Sequence, residues 1–294
     1  MRSEVISTPS PSSKSKLSQQ WEHVPVLIKA IIVGFLVNVI GVYGWVLVVT
    51  IVPAPWSILL MGILLWTYWK YFSGDWWSKP SVEARKRRIR STKLQKDIWK
   101  LSLAAIILFV IVGQSALLVT FRIIEFPSEL FTIYSSDGVP VWLMIMFVAM
   151  MALVAGICEE TGFRGYMQVP IEEEYGPVAG IIVVSIIFLL SHLHQSWILP
   201  VLLHTFALSA LLGLLAYNSK SLIPGIIAHT AMDVFNFGFW WSDFLGTFEM
   251  APVGITGIDL HFVSWLAIMV ASTVAFLWVS QRVAVVRKES GKLE

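Results

Sequence analysis

Cysteine is nearly absent from this chain: Cys158 is the only one in 294 residues, which excludes an internal disulfide and any multi-cysteine metal knuckle. Charge is scarce too. Only 14% of residues are Asp, Glu, Lys or Arg and 56% are hydrophobic, against about 25% charged in an ordinary soluble domain. A mean hydropathy of +0.74 leaves little room for a soluble single-core protein and makes membrane spans the quantity to count. Also missing are an internal repeat, a Gly-rich phosphate loop, a His-Glu-x-x-His zinc helix and the inverted pair of broken helices that many transporters carry.

What is present is a series of apolar runs. They lie near 24–52, 55–72, 98–121, 141–171, 177–195, 197–217, 221–240 and 262–281. The first is too long for the core of a signal peptide and reads as a retained span. The pattern predicts an all-α polytopic membrane protein of about eight helices, with a single transmembrane domain over 24–285. Residues 1–23, rich in Ser, Pro, Lys and Gln, read as a disordered tail, and 286–294 as a short second tail. Segment 79–96 is the densest in Lys and Arg. With it inside, Lys220 and the tail cations Arg282, Arg287, Lys288 and Lys292 also fall inside. Loops 122–140 and 241–261 then lie outside, with Arg122 against Glu125, Glu129, Asp137, Asp243, Glu249 and Asp259. This asymmetry places both termini in the cytoplasm of a multi-pass protein of the cell membrane. The basic segment reads as a topology determinant with no specific partner beyond membrane lipid, and nothing suggests nucleic acid. Many of the 14 Trp residues, including Trp45, Trp56, Trp66, Trp69, Trp76, Trp77, Trp142, Trp240 and Trp241, fall near span ends and suit an interfacial aromatic belt.

Ionisable residues inside spans are costly, so each is a functional candidate. They gather between 141 and 240. In Ala155-Gly-Ile-Cys-Glu159-Glu160-Thr-Gly-Phe-Arg164-Gly165, a continuous helix sets Glu160 and Arg164 four apart on one face, where they can pair. Glu159, rotated by about 100°, lacks that partner and is free to act as a base. The alternative is that the helix ends at Cys158 and both acids are solvated. Phe188 precedes His192 by four residues in the next span, and His229 precedes Asp233 by four in another, so each pair shares a face. Taken singly, these can be packing residues with local hydrogen bonds. Depth links them. Counted from the turns at 172–177 and at Lys220 with a rise of about 1.5 Å per residue, Glu159 lies about 20 Å, His192 about 24 Å, His229 about 13 Å and Asp233 about 20 Å into the bundle. A helix over 141–171 would be about 45 Å long and must tilt, kink at Gly162 or Gly165, or protrude.

A carboxylate facing an imidazole, with a second His–carboxylate pair nearby, suits activation of water for attack on a carbonyl, and peptide-bond hydrolysis is the natural candidate. Two arrangements satisfy the residues. Glu159 and His192 can hold and deprotonate the water while His229 and Asp233 steady the oxyanion. Alternatively, Glu159, His192 and His229 can bind zinc with an open water position. An aspartic dyad is disfavoured because Asp233 is the only aspartate inside a span. A silent scaffold and a proton-conducting transporter are the competing classes.

The run Glu159-Glu160-Thr-Gly-Phe163-Arg164, then Phe188-x-x-x-His192, then His229-x-x-x-Asp233, resembles the three motifs of the CAAX protease and bacteriocin-processing (Abi) family of intramembrane proteases. The resemblance covers about 141–240. It implies a helical fold with a cavity open to the cytoplasm, Glu159 and His192 as the water-activating pair, and His229 and Asp233 on the oxyanion side. Glu160 and Arg164 are then supporting residues. The implied substrate is a peptide or the C-terminal segment of a membrane-associated protein. Whether a metal takes part is left open by the pattern, and a non-catalytic immunity or scaffold protein of the same fold is the alternative.

Overall fold

In hydrocarbon an open chain satisfies its own N–H and C=O groups only as helix, and the apolar runs fold accordingly. The computed structural model describes residues 16–90, 94–125, 138–193, 198–240 and 250–290. Its helices are α1 (Lys16–His23), α2 (Val26–Ile51), α3 (Trp56–Ser73), α4 (Lys79–Arg88), α5 (Lys96–Ile123), α6 (Val141–Tyr175), α7 (Pro177–Ser191), α8 (Leu199–Ser219), α9 (Ile223–Phe235, extended by a π turn over Asn236–Trp240), α10 (Val253–Thr256) and α11 (Leu260–Ser290). No strand occurs among the described residues. Helices α2, α5, α6, α8 and α11 are each long and apolar enough to cross a membrane. The chain is therefore an integral, polytopic, all-α membrane protein. Leu36, Ile40 and Leu47 on α2 are exposed, as side chains facing lipid must be.

Several expectations need correction. Lys16–His23 is helical where a disordered tail was expected; residues 1–15 lie outside the described residues. Trp45 is buried and packs against Phe147 at 5.3 Å between ring centroids, so it belongs to the core and not to an interfacial belt. Trp56, Trp66, Trp76 and Trp142 are exposed, in keeping with one. Glu129, Asp137, Trp241, Asp243, Glu249 and Lys292 lie outside the described residues.

α6 neither ends at Cys158 nor breaks. It runs on to Tyr175, and over Glu160–Met167 its hydrogen bonds widen to the π pattern. Both glycines proposed as kinks lie in this segment. Gly162 serves a close approach: a Cβ there would sit 2.7 Å from the carbonyl oxygen of Gly34, and the reverse contact is equally short. α2 thus crosses the π segment backbone against backbone. The hydroxyl of Tyr68 on α3 donates to the Val37 carbonyl at 3.0 Å and lies 3.4 Å from that of Cys158, where the ordinary ladder gives way.

The two ends of the bundle are closed by ion pairs. At one end α4 leads into Ile89, which is buried among Ala216, Leu222 and Ile226. The cations around it meet the acidic end of α6: Arg87 pairs with Glu173 at 2.7 Å, buried Arg90 pairs with buried Glu172, and Lys220 lies 3.8 Å from Glu172. Arg287 on α11 donates to the Asn218 carbonyl at 3.0 Å. Burial, with Arg90 close by, lowers the Lys220 pKa below the usual lysine value. The basic segment therefore has a partner within the chain. At the other end Arg122, fully buried, donates to both Asp259 oxygens at 2.7 and 3.2 Å, to Thr256 Oγ1 at 2.9 Å and to the Ala251 carbonyl at 2.8 Å. This staples α5 to the segment that begins α11.

Two predictions follow from these contacts. Gly162→Ala must push α2 away and should destabilise the bundle by about 1–3 kcal/mol, read as a lower thermal midpoint in detergent. The hydrogen bonds from Arg122, helped by one from the Phe262 backbone N–H, hold the Asp259 carboxyl at about 2 against an ordinary 3.8. Its contribution is complete above the ordinary value and is lost as the pH falls through about 2. A thermal midpoint followed from pH 5 downward should fall across that window in the wild type. In Asp259→Asn it should start lower and show a shallower fall.

Candidate active site

The polar residues of the second half meet where three helices come together. α7, with 15 residues, is about 22 Å long and falls short of a hydrocarbon core of about 30 Å. It ends at His192, inside the bundle, and Asp233 lies where the α-helical part of α9 passes into its π turn. His192 caps α7 and is held by its own turn. Its Nδ1 lies 2.8 Å from the Phe188 carbonyl, and because a carbonyl only accepts, Nδ1 carries the proton. In the neutral ring Nε2 is then an acceptor. It points at Glu159, 3.9 Å from Oε2.

Phe188 explains the four-residue spacing. The His192 ring stacks on it at 4.3 Å, Phe163 of the π segment meets it edge-on at 5.2 Å, and the Arg164 guanidinium lies over it at 4.6 Å. Glu160 and Arg164 are both fully buried and pair at 3.2 Å. Arg164 also donates to the Ser209 hydroxyl at 2.9 Å and to its carbonyl at 3.2 Å. The same Glu160 oxygen accepts from His229 Nδ1 at 2.9 Å, which directs His229 Nε2 at Glu159 (3.8 Å) and Asp233 (3.5 Å). One line of contacts thus runs from Ser209 through Arg164, Glu160 and His229 to the Glu159 carboxylate. The two adjacent glutamates part company here: Glu160 is sealed in, whereas Glu159 lines a cavity of about 160 Å³ together with His192, His229 and Asp233.

All six residues singled out in the sequence are therefore brought together. The structure adds others. Gln114 on α5 donates to the Asn236 side-chain oxygen at 3.1 Å, and the Asn236 amide lies 3.4 Å from Asp233, so a helix outside the three motifs helps to orient Asp233. His204 and Ser209 on α8 also line the cavity. Counting from Lys220 with the same rise puts His204 about 24 Å into the bundle, level with His192, so the signal for it was available.

The zinc arrangement of Glu159, His192 and His229 is not met by the side-chain spacing. Zinc with bonds of about 2.0–2.1 Å would draw its donor atoms to about 3.4 Å from one another, whereas Glu159 Oε2 lies 3.8 and 3.9 Å from the two imidazoles. Among the described residues, no group of three or more His, Cys, Asp or Glu is placed to hold a metal ion.

Residues 140–235 match the family model described as Type II CAAX prenyl endopeptidase Rce1-like. The match falls on α6 to α9 and bears out the resemblance carried by the three motifs. It supports a fold of the CAAX-type intramembrane protease kind. Neither a curated protein nor a solved structure matches the chain.

Removing one member of a buried ion pair strands the other. Arg164→Ala should therefore cost about 3–5 kcal/mol, measured as loss of thermal stability in detergent. Arg164→Lys, which keeps the charge but loses the planar fork shared by Glu160 and Ser209, should fall between it and the wild type.

Proposed function

We propose that this chain is an intramembrane endopeptidase that hydrolyses a peptide bond in the C-terminal segment of a membrane-anchored, prenylated protein. The observation that carries the reaction is the gap between Glu159 and His192. Two acceptors, a carboxylate oxygen and an imidazole Nε2, face each other across 3.9 Å, too far for a direct hydrogen bond. A single water at about 2.8 Å from each would donate a proton to both. It would be held with its lone pair free to attack.

The steps balance without further reactants. The water oxygen bonds to the scissile carbonyl carbon as Glu159 takes a proton, and the carbonyl oxygen becomes an oxyanion. His229, whose Nδ1 donates to Glu160, can donate from Nε2 to that oxyanion as the imidazolium, its charge set against the carboxylates of Glu160 and Asp233. Collapse breaks the C–N bond, and the proton on Glu159 passes to the leaving amine. The products are a carboxylic acid and a free amine. The cavity also presents Phe109, Leu117, Val201, Leu208 and Leu212, an apolar wall that suits aliphatic side chains or an isoprenoid. The prenylated substrate class rests on the family description, CAAX prenyl endopeptidase, and on this wall.

The orientation with both termini in the cytoplasm of a cell-membrane protein is part of the same proposal. It is supported by the gathering of Arg87, Arg90, Lys220 and Arg287 at one end of the bundle. A substrate processed at its cytoplasmic C-terminus would then reach the cavity from that side.

Cleavage of an internally quenched farnesylated peptide by protein in proteoliposomes tests the reading. Glu159→Gln and His192→Ala should each lower kcat by at least 10³-fold, since each removes a group that holds the attacking water, while thermal stability stays near that of the wild type. Full activity should persist in chelator. Cleavage retained by both variants would overturn the mechanism, and stoichiometric zinc with chelator-sensitive cleavage would replace it with metal-activated water.

A further inference from the structure

The cavity holds a third imidazole that the mechanism does not use. His204 lies on α8, five residues before the Ser209 that anchors Arg164, and lines the same cavity as Glu159 and His192. Its Nδ1 is buried and has no hydrogen-bond partner among the described residues. Of the other polar side chains that α8 brings to the cavity, Thr205 donates to the Val201 carbonyl at 3.0 Å, and the Ser209 hydroxyl accepts from Arg164. Phe109, Val201 and Leu208, which line the same cavity, have no polar side-chain atom. Buried polar groups are nearly always paired in folded proteins. One left open on a residue that lines a cavity is where a bound ligand can supply the partner.

We propose that His204 is a substrate-binding residue that hydrogen-bonds the peptide backbone of the segment being cleaved. The inference rests on the endopeptidase reading for the identity of the ligand. A peptide laid along the cavity must bring its own amide and carbonyl groups out of water, and each needs a partner there. Glu159, His192, His229 and Asp233 serve the reacting carbonyl. His204, at about the same depth as His192, serves a flanking peptide group, so the apolar wall fixes the side chains of the substrate while His204 fixes its backbone. Because the contact is the same in the ground state and the transition state, it should act on binding and leave the chemical step alone.

Binding and turnover separate the two readings. The probe is a fluorescent farnesylated peptide ending in Cys, two aliphatic residues and Ser. Its affinity is measured by anisotropy on full-length Glu159→Gln protein, with and without His204→Ala, and its cleavage is measured on His204→Ala and His204→Gln. We expect His204→Ala to weaken binding and raise KM about tenfold with kcat within twofold of wild type. His204→Gln, which keeps a hydrogen-bonding group, should recover most of the loss. Unchanged affinity in His204→Ala, or a fall in kcat at constant KM, would overturn the proposal. If the wild type cleaves the peptide and His204 makes no difference to KM, this inference fails and the endopeptidase reading stands. If the peptide binds in a His204-dependent way and is never cleaved, the endopeptidase reading fails and the binding site stands.

Discussion

The burial of Arg164 is the constraint on which the rest of the site depends. A guanidinium with no exposed surface in the middle of a membrane bundle is tolerable only beside a counter-charge. Glu160 supplies the charge from the same helix and Ser209 supplies acceptors from α8. Once Glu160 is committed to Arg164, its remaining capacity on the same oxygen fixes His229. Once Arg164 lies over Phe188, the ring has one face left for His192. A single ion pair therefore orients both imidazoles.

The bilayer sets the second constraint, on where helices can stop. Irregular backbone at membrane depth is acceptable only where protein or a water-filled cavity surrounds it. α7 ends at His192 and α9 passes into a π turn at Asn236, and both places border the cavity. The π segment of α6 belongs to the same pattern. It places Glu159 at the junction between two helical geometries, with Gly162 letting α2 close over the distorted stretch. The staple made by Arg122, which joins α5 to the start of α11, and the clasp of Arg90 on Glu172 at the end of α6 lie at opposite ends.

These constraints also explain what could be read in advance. The spacing of four between Glu160 and Arg164, Phe188 and His192, and His229 and Asp233 is a local property of one helix, so it survives in the sequence. Depth is nearly local as well, because rise per residue is constant. Contacts between elements are not. Nothing in the residues around Gln114 announces that it will meet Asn236, because that pairing is made by the packing of α5 against α9. The pairing of Arg87 and Arg90 with Glu173 and Glu172 was hidden for the same reason: a run of cations looks alike whether it faces lipid headgroups or the acidic end of a helix. Trp45 misled because position near a span end says nothing about which face of α2 it occupies. The π segment escaped because glycine can equally mark a kink, a close approach or a change of helical pattern.

The neighbouring acids Glu159 and Glu160 show how one dipeptide supports two roles. They are the same residue type on consecutive positions, and the helix turns about 100° between them. That rotation sends Glu160 into a fully buried site where a guanidinium and an imidazole N–H claim the same oxygen. It sends Glu159 to the cavity wall, where its neighbours at 3.8 and 3.9 Å are imidazoles set back from hydrogen-bonding distance. A proton acceptor in catalysis must be able to gain and lose a proton without dismantling its surroundings. Protonating Glu160 would strand Arg164. On the proposed reading the division of labour therefore follows from position: the acid that holds Arg164 and His229 in place is structural, and the acid at the cavity wall is the one placed to serve as the base.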